Sequence, residues 1–295
     1  MPISLAMKCL LFLIILTTFS CTRFAERSPA DKKVERHIVF DIDWTIANEI
    51  KKPTLRDLNN PRVIEVEGIY YFISDGLEEF IEVILSHKEM KISFYSGGSE
   101  SRNLKLLAKI KLKSGKSLYD MAFKVLSKKD MVEIPNVPEN AKFSERFKKD
   151  LIRVSENLDE LVMFDDVVNF VVDNNTNQNE HVFFIGKAYE YFENFNDTMA
   201  KHGEYVPRSF EQWSLQRSRL IVLNGVFREA YEKSLSTGMP LSEVMKKYEE
   251  VLNLKGQEWN IHSKRLFKKI RSTPIANIRP ITSDCHGLIS TFLAH

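Results

Sequence analysis

The chain is expected to fold as an α/β domain around a parallel sheet, because short apolar β-rich runs alternate along it with amphipathic stretches of helical spacing. Two further features agree. Two of the apolar runs end in paired carboxylates, which places acidic groups at the C-terminal edge of a sheet, where open α/β sheets bind ligands. After about residue 208 the strand signal stops and helical spacing continues. Of the 295 residues, 43% are hydrophobic and 28% charged, ordinary values for a globular protein and well outside the disordered range. Lys and Arg number 42 against 40 Asp and Glu, a net charge of +2 that makes no global electrostatic case for nucleic acid or a membrane surface.

The elements follow in order. Residues 1–21 read as an export leader: a short start with one Lys, the unbroken apolar run CLLFLIIL at 9–16, then TTFSC. The run is too short to span a bilayer as a mature helix. Ser20 before Cys21 resembles the lipobox of bacterial lipoproteins, where the Cys is acylated and becomes the new N-terminus. Thr18 and Phe19 depart from the usual Leu-Ala, so ordinary signal-peptidase cleavage stays open. Without the leader only Cys21 and Cys285 remain, and an acylated Cys21 leaves no pair for a disulfide. Residues 22–36 are charged and aperiodic, a tether.

Strands are expected at 37–42, 91–95, 122–126, 161–164 and 181–185, and helices at 76–87, 100–112 and 144–158. Between the first two strands, residues 61–74 (PRVIEVEGIYYFIS) hold two β-rich runs around Glu67-Gly68, a hairpin. Helices at 210–235, 241–254 and 257–271 follow, with Gly238-Met239-Pro240 as a connector. The domain reading is therefore leader 1–21, tether 22–36, an α/β domain at 37–208 and a helical extension at 209–295. No internal repeat or low-complexity tract is present.

The chemistry begins with HIVFDIDWTIAN. Asp41 and Asp43 end a hydrophobic strand, and alternation turns both to one side. Two like charges there are costly unless a cation sits between them or one is protonated, and oxygen ligands suit magnesium. Thr45 completes a DxDxT pattern. The second strand ends in Tyr95-Ser96-Gly97-Gly98 just before a helix, which offers either an anion site of a hydroxyl and backbone N–H groups or a simple Ser96 helix cap. FKKDLIRV supplies Lys149, an anion-neutralising group or an exposed surface lysine. LVMFDDVVNFV repeats the pattern of apolar strand and paired acids with Asp165 and Asp166.

These four segments, in this order over residues 37–190, resemble the four motifs of the haloacid dehalogenase (HAD) superfamily. The Lys149-Asp150-Leu151 triplet and DGLEEF at 75–80 are similar to its small C-terminal-domain phosphatase (NLI-interacting factor-like) branch. Trp44, where that branch often has a small or acidic residue, and Asp165-Asp166, where some members have Asp-Asn, depart from it. The resemblance implies a HAD-like Rossmannoid three-layer fold with a parallel sheet, a hairpin insertion after strand 1 and a helical C-terminal extension. It implies Asp41 as a phosphoryl-accepting nucleophile and Asp43 as general acid and base. Mg2+ is then held by Asp41, the backbone carbonyl of Asp43 and the second acidic pair, Asp166 foremost with Asp165 in support. Ser96, Lys149 and the substrate-binding Thr45, Gly97 and Gly98 complete the set.

The expected activity is that of an exported, lipid-anchored, Mg-dependent phosphomonoesterase facing the periplasm. Phosphotransfer to an alcohol, dehalogenation and a non-catalytic envelope module binding a phosphorylated ligand or protein are the other readings. The hairpin offers Tyr70, Tyr71 and Phe72 either as substrate contacts or as packing on the core. A basic cluster, Lys264, Arg265, Lys268, Lys269 and Arg271, offers either an anionic-headgroup or nucleic-acid contact or a solvated helix face; without interleaved aromatics, nucleic acid is the weaker partner.

Overall fold

A computed structural model describes residues 34–173 and 176–252 of the chain. The leader, Cys21, most of the tether, the third C-terminal helix with its basic cluster and Cys285 lie outside the described residues.

The described residues hold ten strands: β1 Arg36–Phe40, β2 Ala47–Ile50, β3 Val63–Val66, β4 Ile69–Ile73, β5 Met90–Tyr95, β6 Ala122–Leu126, β7 Val132–Glu133, β8 Phe147–Lys148, β9 Leu161–Asp165 and β10 Val182–Phe184. The long helices are α1 Leu77–Leu85, α2 Glu100–Lys109, α3 Phe210–Thr237 and α4 Leu241–Leu252. Five strands form the expected parallel sheet in the order β10-β9-β1-β5-β6. β1 lies at its centre, as its sequence requires: RHIVF has no polar side to give to water, the pattern of a strand covered on both faces. Phe40 is level with Phe94 of β5 and Phe164 of β9, so the three strand ends, and the residues that follow them, come out side by side at one edge.

Alternation along β1 divides the core. Ile38 and Phe40 enter one cluster with Phe80 of α1, Leu106 of α2, Leu223 and Phe227 of α3 and Val244 of α4. Phe40 is its pivot, with ring centroids 5.4 Å from Phe80 and 5.3 Å from Phe164. Val39 faces the other way, into a cluster with Tyr95, Phe147, Leu151, Met163 and Phe170. The helices after residue 208 thus contribute directly to the core of the first face. α3 starts at Ser209, whose side chain accepts from the Gln212 N–H, and stops at Gly238 with φ 71°, a left-handed cap that glycine adopts freely. Among the described residues no helix is long and apolar enough to cross a membrane.

The helix expected at 144–158 does not form. One turn, Phe143–Arg146, gives way to β8, which pairs with β7, and then to a short 3-10 turn at Leu151–Arg153. The helical spacing that suggested it is real, since Phe147, Leu151 and Val154 are all buried. The backbone is claimed by other partners: the Lys149 N–H donates to the Phe170 carbonyl, and the Val172 N–H donates to the Lys149 carbonyl, both at 2.9 Å. Tertiary pairing overrides a weak local preference.

The hairpin is β3–β4, turning at Glu67 (φ 55°) and Gly68 (φ 78°), the two positive φ angles of the tight turn that suits hairpin twist. Residues 47–50, not anticipated as a strand, pair with β4 as β2 and make the hairpin a three-stranded antiparallel sheet. Tyr71 and Phe72 are buried, with the Phe72 ring stacked on Tyr191 at 3.3 Å, which favours packing over an open contact surface for both.

Candidate active site

Asp41 leaves the end of β1 with its N–H donating to the Phe164 carbonyl at 2.9 Å, so the backbone is still held as a strand where the first carboxyl appears. The chain then turns sharply. The N–H groups of Ile46 and Ala47 both donate to the Ile42 carbonyl at 3.0 Å, and Trp44 sits at φ 63°. A bulky residue in the left-handed region stores strain, a frequent mark of a functional loop. The Trp44 ring lies 5.5 Å from that of Tyr205. Ile42 points into the core and fixes Asp41 and Asp43 on the other side.

Lys149, carried by the segment paired with residues 170–172, is fully buried. Its Nζ donates to Asp41 Oδ1 at 2.6 Å and to Asp165 Oδ2 at 2.7 Å. The Val167 N–H donates to the other Asp165 oxygen, Oδ1, at 2.8 Å, so both oxygens of Asp165 are engaged. Asp166 completes the group: one carboxylate oxygen each from Asp41, Asp165 and Asp166 lie within 4.8 Å of one another. Three carboxyls face one ammonium. Burial pushes the Asp41 carboxyl well above the usual range, reinforced by Asp165, Asp166 and Asp43 and opposed by Lys149. Burial, with Asp165 beside it, pushes Asp166 up to about 7. Burial alone would lower Lys149, but Asp165 and Asp41 more than offset it and its pKa is raised. An all-oxygen donor set with excess negative charge fits a hard divalent cation such as Mg2+ or Ca2+. Asp41, Asp165 and Asp166 are the carboxylates that could hold such an ion, with Lys149 sharing one oxygen each of Asp41 and Asp165.

Asp43 belongs to a second set of contacts. Its Oδ2 accepts from Ser96 Oγ and from Arg102 Nη2, both at 2.6 Å, and Ser96 Oγ accepts in turn from the Gly98 N–H at 3.1 Å. Ser96 is therefore not a helix cap; Ser99 takes that place, accepting from the Arg102 N–H. Nor is the Gly98 N–H left for an anion. Both glycines are needed by close approach: a Cβ at Gly97 would lie 2.4 Å from the Phe143 ring, and one at Gly98 only 1.8 Å from Arg102 Nη2. Thr45 is fully buried; its carbonyl accepts from Ser74 Oγ at 3.1 Å and from Arg219 Nη2 at 3.2 Å, and its hydroxyl has no partner among the described residues.

The structure thus gathers Asp41, Lys149, Asp165 and Asp166 around one point, and Asp43, Ser96 and Gly98 beside it. Arg102 and Arg219 were not anticipated. Arg102 left one signal: a cation in the first turn of a helix opposes the helix dipole, which requires a nearby carboxylate in compensation. Arg219 left none, since 174 positions separate it from Thr45.

A pH dependence follows from Asp166. Its folded pKa of about 7 lies above the ordinary 3.8, so its proton stabilises the fold. That contribution is complete below about pH 4 and is lost as pH rises to 7 and beyond. Between pH 5 and 8 the melting temperature of the wild type in EDTA, taken relative to that of Asp166→Asn, is expected to fall as pH rises, because the other titrating groups are common to both chains. Mg2+ should raise it more at pH 8 than at pH 6.5, because binding requires deprotonated ligands. Scanning fluorimetry of the wild type and of Asp166→Asn checks this. A difference between the two chains that stays constant or grows with pH contradicts it.

No family model and no curated protein matches the sequence. Among solved structures the chain is similar to Fcp1, an essential RNA polymerase II CTD phosphatase, at 17% identity and a TM-score of 0.41 over 78% of this chain and 73% of that one. It is also similar to a variant of the fission yeast RNA polymerase II CTD phosphatase Fcp1 bound to beryllium fluoride, at 16% identity and a TM-score of 0.38 over 91% and 80% of the two chains.

Proposed function

We propose that the chain is a divalent-metal-dependent phosphomonoesterase, Mg2+ being the metal, that works through an aspartyl-phosphate on Asp41. The observation that carries this is the position of Lys149, fully buried between Asp41 and Asp165 with Asp166 close by. One side of the site carries a carboxylate with its own charge partner, and the other carries a second carboxylate held for proton exchange. Asp41 attacks phosphorus as the leaving oxygen departs. Asp43 gives that oxygen its proton and later takes one from the attacking water. Arg102 and Ser96 both occupy Oδ2, which leaves Oδ1 as the oxygen to face the leaving group and the attacking water. Lys149 and the Gly97 N–H stabilise the equatorial oxygens. When bound to Asp41, Asp166 and the Asp43 carbonyl, with Asp165 behind them, Mg2+ supplies Lewis-acid neutralisation of the phosphoryl charge.

Release of p-nitrophenol from p-nitrophenyl phosphate tests the reading. Turnover is expected with Mg2+, none in EDTA, and recovery when the ion is restored. No turnover with any of several phosphomonoesters would overturn it and favour a module that binds phosphorylated ligands.

Arg102→Ala is expected to lower kcat by about 10- to 100-fold, less than the roughly 10^2- to 10^4-fold of losing the general acid itself, with a smaller change in KM. Gly98→Ala should do the same by displacing the Arg102 guanidinium. Wild-type kcat in both would remove Arg102 from the site.

From the leader we also infer export and a lipid anchor at Cys21, placing the domain in the bacterial envelope on the periplasmic side. Mass spectrometry of the mature N-terminus decides it: an unmodified Cys21, or cleavage elsewhere, defeats the anchor.

A further inference from the structure

Arg219 of α3 is 3% exposed, and its side chain makes one hydrogen bond among the described residues, from Nη2 to the Thr45 carbonyl at 3.2 Å. Nε and Nη1 are buried without a partner there. The charges acting on it are those of Asp166 and Asp41, neither within ion-pair distance. A buried cation with orphaned donors is expensive, and a packed apolar side chain at such a place is often more stable. Stability of the fold therefore gives no reason for an arginine here. The acidic site does. Asp41, Asp165 and Asp166 set three carboxyls against the one ammonium of Lys149, and Arg219 is a second positive charge acting on the same group.

We propose that Arg219 is a positioning residue whose fixed positive charge weakens metal binding at the Asp41–Asp166 site and favours the anionic substrate, so that the C-terminal helix sets the balance between the two. This rests on the metal-dependent phosphatase reading above. A charge repels the dication and attracts the dianionic phosphoryl group from the same place, so removing it shifts the two affinities in opposite directions. A role in packing alone would not.

The test uses Arg219→Met, with Arg219→Lys as the charge-preserving variant. In Arg219→Met the Kd for Mg2+, titrated calorimetrically without substrate, is expected to tighten about fivefold or more, since the repulsion between a unit charge and a dication reaches beyond ion-pair distance in a buried site. Its KM for p-nitrophenyl phosphate at saturating Mg2+ should rise by a similar factor. Arg219→Lys should stay within about threefold of wild type in both constants. An unchanged or weaker Mg2+ affinity in Arg219→Met, or a Lys variant that behaves like Met, overturns the proposal. So does loss of the folded state in both Arg219→Met and Arg219→Gln, which would make the residue structural. A wild-type chain that binds no Mg2+ would instead sink the phosphatase reading itself.

Discussion

Asp41→Asn is expected to abolish turnover and leave the chain folded, with a melting temperature equal to or above that of the wild type in EDTA. The side chain keeps its shape, and its amide oxygen still accepts from Lys149 Nζ. What disappears is a negative charge that burial, Asp165, Asp166 and Asp43 all disfavour. Removing it relieves like-charge repulsion at the strand ends. The amide is no nucleophile, and kcat should fall by about 10^4-fold or more, the scale of losing a nucleophile that acts as part of a set. Magnesium affinity should fall as well, because one of three carboxylates is gone. Retained metal-dependent turnover would refute the mechanism; loss of the fold would make Asp41 structural.

Lys149→Met is expected to act in the opposite sense on stability. The ammonium is fully buried between two carboxylates, and removing it leaves them uncompensated. Breaking a buried pair by deleting one partner costs about 3–5 kcal/mol. In EDTA the melting temperature should drop by many degrees, most at high pH. Mg2+ should restore part of it, because the ion supplies positive charge to the same oxygens. Turnover should fall about 10^3-fold even where the protein is folded, since Lys149 also faces the phosphoryl oxygens. A melting temperature in EDTA that matches wild type would show that Lys149 is not the counter-charge of Asp41. The two variants together separate charge from shape: each is close in volume to its parent, and they move stability in opposite directions.

Most of the sheet was legible because its strands carry their own signal. The five apolar runs at 37–42, 91–95, 122–126, 161–164 and 181–185 became the five parallel strands, and residues at three of their ends supply Asp41, Ser96, Asp165 and Asp166. Lys149 was legible as a residue but not as a conformation. Phe147, Leu151 and Val154 have helical spacing, yet the segment is held extended by Phe170 and Val172, partners outside any local window. β2 (ANEI) is too short and polar to announce itself and exists because β4 offers it an edge. The two arginines show the other limit. Arg102 makes sense only beside Asp43, 59 positions away, and Arg219 only beside a loop 174 positions away. Charge partners brought together by tertiary structure leave no spacing to read.

Trapping of the covalent intermediate is the most direct measurement. Wild-type protein is mixed with Mg2+ and a phosphomonoester, quenched within the first turnover and treated with borohydride, which reduces an acyl phosphate to the alcohol. Peptide mass spectrometry should then find Asp41 converted to homoserine, no conversion in EDTA, and none at Asp43, Asp165 or Asp166. Conversion at one of those other positions, or turnover with no modified carboxylate at all, would contradict nucleophilic attack by Asp41.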